Sequence, residues 1–114
     1  MAFVLTEQHF TTEAEALAEI EARGLFTVGA FDVPADDNEL HWHEFDSVIF
    51  VLDGTARVEF EDGSVMQCSA GARVEAPAGT LHRESTPPYR AVFGFSMDPS
   101  AMTQPVNKPP VHDA

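Results

Sequence analysis

The chain has one cysteine, one tryptophan, one tyrosine and only six lysines and arginines. A single cysteine, Cys68, excludes an internal disulfide. The fold must therefore rest on its core, and 114 residues suffice for one domain with a real one. Six basic residues against nineteen acidic ones leave a formal net charge of −13. Such a chain repels phosphate backbones and anionic lipid surfaces, which excludes nucleic acid and membranes as partners. The plain reading of the charge is solubility. No apolar run approaches the ~20 residues of a membrane helix. The opening MAFVLTEQHF lacks the basic segment and long apolar core of a secretory signal. With the lone cysteine, this gives the expectation of a reducing cytoplasm. At 44% hydrophobic and 22% charged residues, the composition is that of an ordinary globular protein.

No internal repeat is visible. TTEAEALAEIEARG predicts one short helix over residues 12–23: Thr12 and Glu15 have capping-box spacing, Ala14, Leu17 and Ile20 recur at helical spacing, and Gly24 stands where a terminating glycine would. Beyond Gly24 the pattern becomes that of strands: LFTVGAFDV, ELHWHE, SVIFVL, ARVEF, SVMQCSA, ARVEA, TLHRES and YRAVFGFSM. Between them lie turn signals at Pro34, Asp53-Gly54, Asp62-Gly63, Gly71, Pro77-Ala78-Gly79 and Pro87-Pro88. Many short strands with regular turns mean an all-β antiparallel sandwich or barrel over residues 25–97. Residues 98–114 carry four of the eight prolines. They read as an extended tail on the surface or on a partner subunit, or as a disordered end.

Of five histidines, His9 and His112 lie near the ends and read as surface residues. His41 and His43 are two apart, so on a strand both imidazoles point to one face and can share a divalent ion. Alone, H-x-H is as readily a pair of half-exposed histidines on a sheet. His82, which follows PAGTL at a tight turn, supplies a third imidazole that an antiparallel barrel can bring alongside.

With these residues in view, HWHEFDSVIFVLDG is similar to the first motif of the cupin superfamily. His41, His43, the six-residue spacer and Gly54 match, while Ser47 stands at the motif's glutamate. GARVEAPAGTLHREST is similar to the second motif through Gly71, Pro77, Gly79 and His82, with Thr86 at its asparagine. The resemblance implies a single-domain jelly-roll barrel with a metal held by His41, His43 and His82. It further implies a divalent transition metal: iron(II) first, with zinc, nickel, manganese or copper also fitting. Three imidazoles without a carboxylate would leave the full charge on the ion and open positions for a chelating substrate. That ligand set is similar to the one in thiol dioxygenases and acetylacetone-type dioxygenases.

Asp46, Glu44 and Glu84 are the carboxylates near the gap. Each reads either as a solvated surface group or as a substitute, and Glu84 shares strand parity with His82 and so can orient a ligand from behind. Counting alternately from Ser47 turns Ile49 and Val51 inward, and Phe93 and Phe95 share one face of the last strand. All of these read as barrel core or as pocket. If they line a pocket, the ligand is small and partly apolar or aromatic. Cys68 reads as a small buried hydrophobe. No arginine is placed as a carboxylate clamp. Trp42, Val48, Phe50 and Leu52 share the opposite face, which the second sheet, the helix or a partner must cover; a homodimer is expected. The functional expectation is a three-histidine metal oxygenase acting on a small chelating organic molecule. The alternatives are a metal-dependent lyase, isomerase or cyclase, a cupin that only binds a ligand, or a barrel whose histidines hold no metal.

Overall fold

In the computed structural model, residues 3–111 are described; His112 lies outside them. Eight strands and one α-helix follow in the order β1 Val4–Thr6, α1 Glu13–Ala22, β2 Phe26–Val33, β3 Asp36–Asp37, β4 Ser47–Phe60, β5 Val65–Ser69, β6 Arg73–Ala76, β7 His82–Thr86 and β8 Tyr89–Phe95. Every pairing is antiparallel. One wall runs β1, β6, the first half of β4, β8 and β2. The other is built from β5, the second half of β4, β7 and β3.

The single strand β4 therefore belongs to both walls, and here the structure departs from expectation. Asp53-Gly54 is not a hairpin turn. The chain runs straight on through it, with a bulge between Val51 and Asp53 that bends the strand from one wall to the other. Gly54 has φ of +78°, and a Cβ there would stand 2.8 Å from the Pro88 carbonyl oxygen. A strand corner and a hairpin need the same local chemistry, a residue free to take positive φ. The true hairpin is the next one, at Asp62-Gly63, joining β4 to β5. Two further strands escape the sequence reading, β1 and β3, with three and two residues respectively. ELHWHE forms only isolated bridges, His41 with His82 and Trp42 with Lys108.

The helix forms as its sequence dictates. Thr12 accepts the Glu15 amide at its start. At its end the Gly24 amide donates to Glu21 and the Leu25 amide to Ile20, a Schellman closure with Gly24 at φ of +68°. Its apolar face, Ala16 and Ile20, is fully buried on Val48, Phe50 and Val92 with Phe10. The helix thus covers Val48 and Phe50 on the outer face of β4. Trp42 leaves that group and donates from its indole to the Pro109 carbonyl. A second core fills the barrel interior: Phe3, Val51, Ala56, Val58, Cys68, Ala72, Val74 and Ala76, with Ile49 packed against it.

His9 is not a free surface residue. Its Nε2 stands 2.6 Å from Glu19, which also takes Arg73 at 2.9 Å, while Arg23 reaches Glu75 on β6 at 2.6 Å. This clasp ties the helix to the sheet. Partial burial would raise the Glu19 pKa, but the hydrogen bonds from His9 and Arg73 outweigh it and hold the carboxyl below its ordinary value of 4.5. A carboxyl depressed in the folded state stabilises above its unfolded pKa and loses that contribution as pH falls through its folded value. Glu19→Gln is therefore expected to lower urea stability at pH 7 and to flatten the loss of stability below pH ~4.5, read from urea midpoints across pH 3–7.

Candidate metal centre

The bridge between His41 and His82 is made by two backbone hydrogen bonds of 2.8 and 3.0 Å. It sets the two imidazoles side by side, tilted by 58°, with ring centroids 4.4 Å apart. His43 joins them at 4.9 Å from His41 and 5.2 Å from His82. The Gly79 amide donates to the His43 carbonyl, so the Pro77-Ala78-Gly79 turn is pinned to the same segment. His41 and His82 are 3% and 5% exposed, while His43 and Glu84 are half-buried, so the group is approached from the side of the latter two.

Each imidazole gives its Nδ1 to a backbone carbonyl: His41 to Glu39 at 2.7 Å, His43 to Val106 at 3.0 Å, and His82 to Thr80 at 2.9 Å. A carbonyl only accepts, so each Nδ1 carries the proton and each Nε2 presents a lone pair. Three neutral imidazoles aimed at one point are what a divalent ion requires.

A carboxylate completes the group, though not at the position where the motif would place it. One ligand atom from each of His41, His43, His82 and Glu84 lies within 4.8 Å of the others. Glu84 Oε2 stands 3.4 Å from His41 Nε2 and 3.6 Å from His82 Nε2. Two donors bound at about 2.1 Å to one ion stand about 3.0–3.4 Å apart, depending on the angle between them. His41 Nε2 and Glu84 Oε2 are also buried without a hydrogen-bond partner. Buried polar atoms left this way are costly, and an ion between them would satisfy both. The residues present fit a divalent transition metal.

This corrects two expectations. Glu84 is not behind a ligand but level with the three imidazoles. The group carries one negative charge, so the argument from an uncompensated three-histidine centre no longer holds. Ser47 stands with Ile49 and Val51 on the inner face of β4, yet its hydroxyl makes no bond to the histidines and it borders a surface groove with Arg23, Asp46 and Glu75. The other two carboxylates are spoken for. Asp46 accepts the Ala78 amide at 2.8 Å, and Glu44 pairs with Lys108 at 3.1 Å and with Thr103.

Burial alone would lower the His41 pKa, but Glu84 beside it raises it above the ordinary value. Burial lowers both His43 and His82. Burial would raise Glu84, and the three imidazoles instead bring it below its usual range. The carboxylate is ionised at neutral pH and available as an anionic donor.

The tail over residues 98–111 lies on its own chain, as a strap. Lys108 exchanges two backbone hydrogen bonds of 3.0 Å with Trp42, and its ammonium pairs with Glu44. Between these contacts Val106 delivers the carbonyl that orients His43. No spacing rule could have pointed to Val106, since a carbonyl acceptor carries no sequence signal. Groups behind a metal ligand are worth about 10–100-fold in affinity. A chain ending at Met102 is expected to bind zinc about that much more weakly, measured by competition with a chromophoric chelator.

Of the other residues, Ile49 and Val51 do face inward, where Val51 is fully buried core. Phe93 and Phe95 lie opposite Ile49 and Ser47 on β8 and so share that inner face, half-buried. Cys68 is buried, and burial pushes its thiol up to about 11, so it is an inert core residue. Burial likewise pushes Tyr89 up to about 12. A cleft of about 570 Å³ between the β4–β5 hairpin and the Gly79–Leu81 turn contains none of the four donors.

The chain matches the model of the Cupin domain over residues 30–87, just over half its length and including His41, His43, His82 and Glu84. The chain is a cupin. Solved structures agree on the fold. A DUF861-family protein of Thermotoga maritima has a TM-score of 0.57 at 17% identity, covering 81% of this cupin and 97% of that chain. A Neisseria meningitidis protein has a TM-score of 0.50 at 26% identity, covering 60% of this cupin and 68% of that chain. No curated protein matches it. No helix among the described residues is long and apolar enough to cross a membrane.

Proposed function

We propose that this cupin binds one divalent transition metal, iron(II) first, through His41, His43, His82 and Glu84, and acts as an oxygenase on a small chelating organic molecule. The observation that carries the reading is the convergent donor set, with three Nδ1 atoms anchored on carbonyls and two buried donor atoms otherwise unpartnered. Imidazole and carboxylate donors suit iron(II), and also zinc, manganese and nickel. When bound, the ion supplies Lewis acidity and open coordination positions at which an organic chelator and dioxygen can meet.

The protein supplies the rest. Buried His41 and His82 form the closed back of the site, so a substrate enters past His43 and Glu84. The Glu84 carboxylate, held ionised among the imidazoles, supplies the one anionic donor of the group and offsets part of the charge of the ion. The apolar barrel interior keeps water from the reacting atoms.

Elemental analysis after anaerobic loading with iron(II) is the first test. Wild type is expected to hold about one equivalent, with His41→Ala and His82→Ala near zero. Oxygen uptake is then followed with β-diketones, thiols and catechols. Equal, near-zero metal in all three proteins sinks the metal reading. Full loading without uptake on any class sinks the oxygenase and leaves a lyase, isomerase or binding protein on the same site.

A further inference from the structure

We propose that the inner aromatic wall of Phe31, Phe93 and Phe95 is a subsite for the ring of a small, uncharged or weakly acidic aromatic ligand whose donor group reaches the histidine cluster. This rests on the metal reading above and adds to it the chemical class of the ligand.

The wall is a continuous ladder of rings. Phe31 stacks on Phe93 at 5.4 Å and 22°, and Phe93 on Phe95 at 5.9 Å and 27°. Phe95 meets buried Phe45 edge-on at 5.0 Å, and Phe45 stacks on His43 at 5.0 Å and 22°. The ladder thus ends on one of the four donor residues. The pairing of β2, β8 and β4 sets Val28, Phe93 and Ile49 abreast, and next to them Phe26, Phe95 and Ser47. Ile49 packs on the inner core, so this row faces the barrel interior.

The rings of this face keep accessible surface. Phe93 and Phe95 are half-buried, and Phe31 and Phe26 at the rim are 40% and 44% exposed. Near-parallel rings offer a flat π surface. A flat aromatic ligand gains offset stacking there beyond the area it covers, which an alkyl chain does not.

Charge narrows the class further. All six basic side chains are committed to carboxylates: Arg23 to Glu75, Arg57 to Glu59, Arg73 to Glu19, Arg83 to Asp37 and Glu59, Arg90 to Asp32, and Lys108 to Glu44. Among the described residues no side-chain cation is left to hold a phosphate or a second carboxylate, in a chain of net charge −13. The metal is then the one electropositive anchor, and the rest of the ligand must be apolar.

Benzohydroxamic acid and acetohydroxamic acid carry the same donor pair and differ by the ring. Calorimetry on the zinc-loaded protein is expected to show the benzo compound binding about tenfold more tightly. Phe93→Leu and Phe31→Ser should each reduce that ratio at least threefold and leave acetohydroxamate unchanged. A wild-type ratio near one, or a ratio that neither substitution moves, overturns the subsite. So does an unmoved ratio alongside a dimer that Phe31→Ser dissociates in sedimentation, since the face then belongs to a second copy of the chain. If zinc does not bind, the metal reading fails by itself. The wall is then judged by phenylalanine ring chemical shifts: perturbation of Phe93 by benzohydroxamate and not acetohydroxamate keeps it, and no difference removes it.

Discussion

Glu84→Gln is expected to weaken metal binding by about 100-fold or more, the largest loss from any single substitution outside the three histidines. The amide keeps the size of the side chain and removes its charge. Three neutral imidazoles would then face the ion alone, and the anion that offsets its charge at 3.4–3.6 Å from two of them would be gone. Replacing a group behind a ligand costs about 10–100-fold, and an anionic donor at the ion itself should cost at least the upper end. The control is Ser47→Glu. If the motif's own position governed the site, restoring its glutamate would tighten binding strongly. With Glu84 already in the group, it should change affinity by less than about threefold, well under one ligand's worth. Competition with a chromophoric chelator measures both. Tight binding in Glu84→Gln together with a strong gain in Ser47→Glu would reverse the assignment.

Phe50→Ala is expected to cost about 3–5 kcal/mol of folding stability, a large share of the roughly 5–15 kcal/mol that domains of this kind possess. Phe50 is fully buried between β4 and the helix, edge-on to Phe10 at 5.4 Å, in one cluster with Ile20, Val48 and Val92. Truncation would leave a cavity roofed by a helix whose clasp with Arg73 and Arg23 prevents collapse. Phe26→Ala removes the same atoms from a site 44% exposed and should cost less than about 1 kcal/mol. Urea denaturation at neutral pH separates the two. Equal losses would mean that the helix-covered core is not where stability resides.

Much of the site was legible because its signals are local. His41 and His43 are two apart, and the Pro77-x-Gly79 turn fixes where His82 begins its strand, so both halves could be read before anything was known of the fold. Glu84 was harder. Parity with His82 allows it inward, yet parity says nothing of whether a side chain stops behind a ligand or beside it. That depends on how closely His41 approaches across the bridge to His82, which is a tertiary distance. Ser47 pointed to a missing carboxylate correctly and to its consequence wrongly, because the replacement comes from another strand.

The fold shows the same division. The helix was readable to its caps, since capping is a matter of neighbouring residues. Asp53-Gly54 was misread because a corner in a long strand and a hairpin demand the same dihedral freedom, and only the partners of β4 on either side distinguish them. The short strands β1 and β3 carry no periodicity of their own. They exist because β6 and β7 offer them an edge.

The strap that brings Val106 to His43 makes the chain's C-terminal end mechanically part of its chemistry, and the traffic along it runs both ways. A load that displaces residues 106–108 is felt at the imidazole. Conversely, a fluorophore placed near that end would report, from outside the barrel, when the ion arrives.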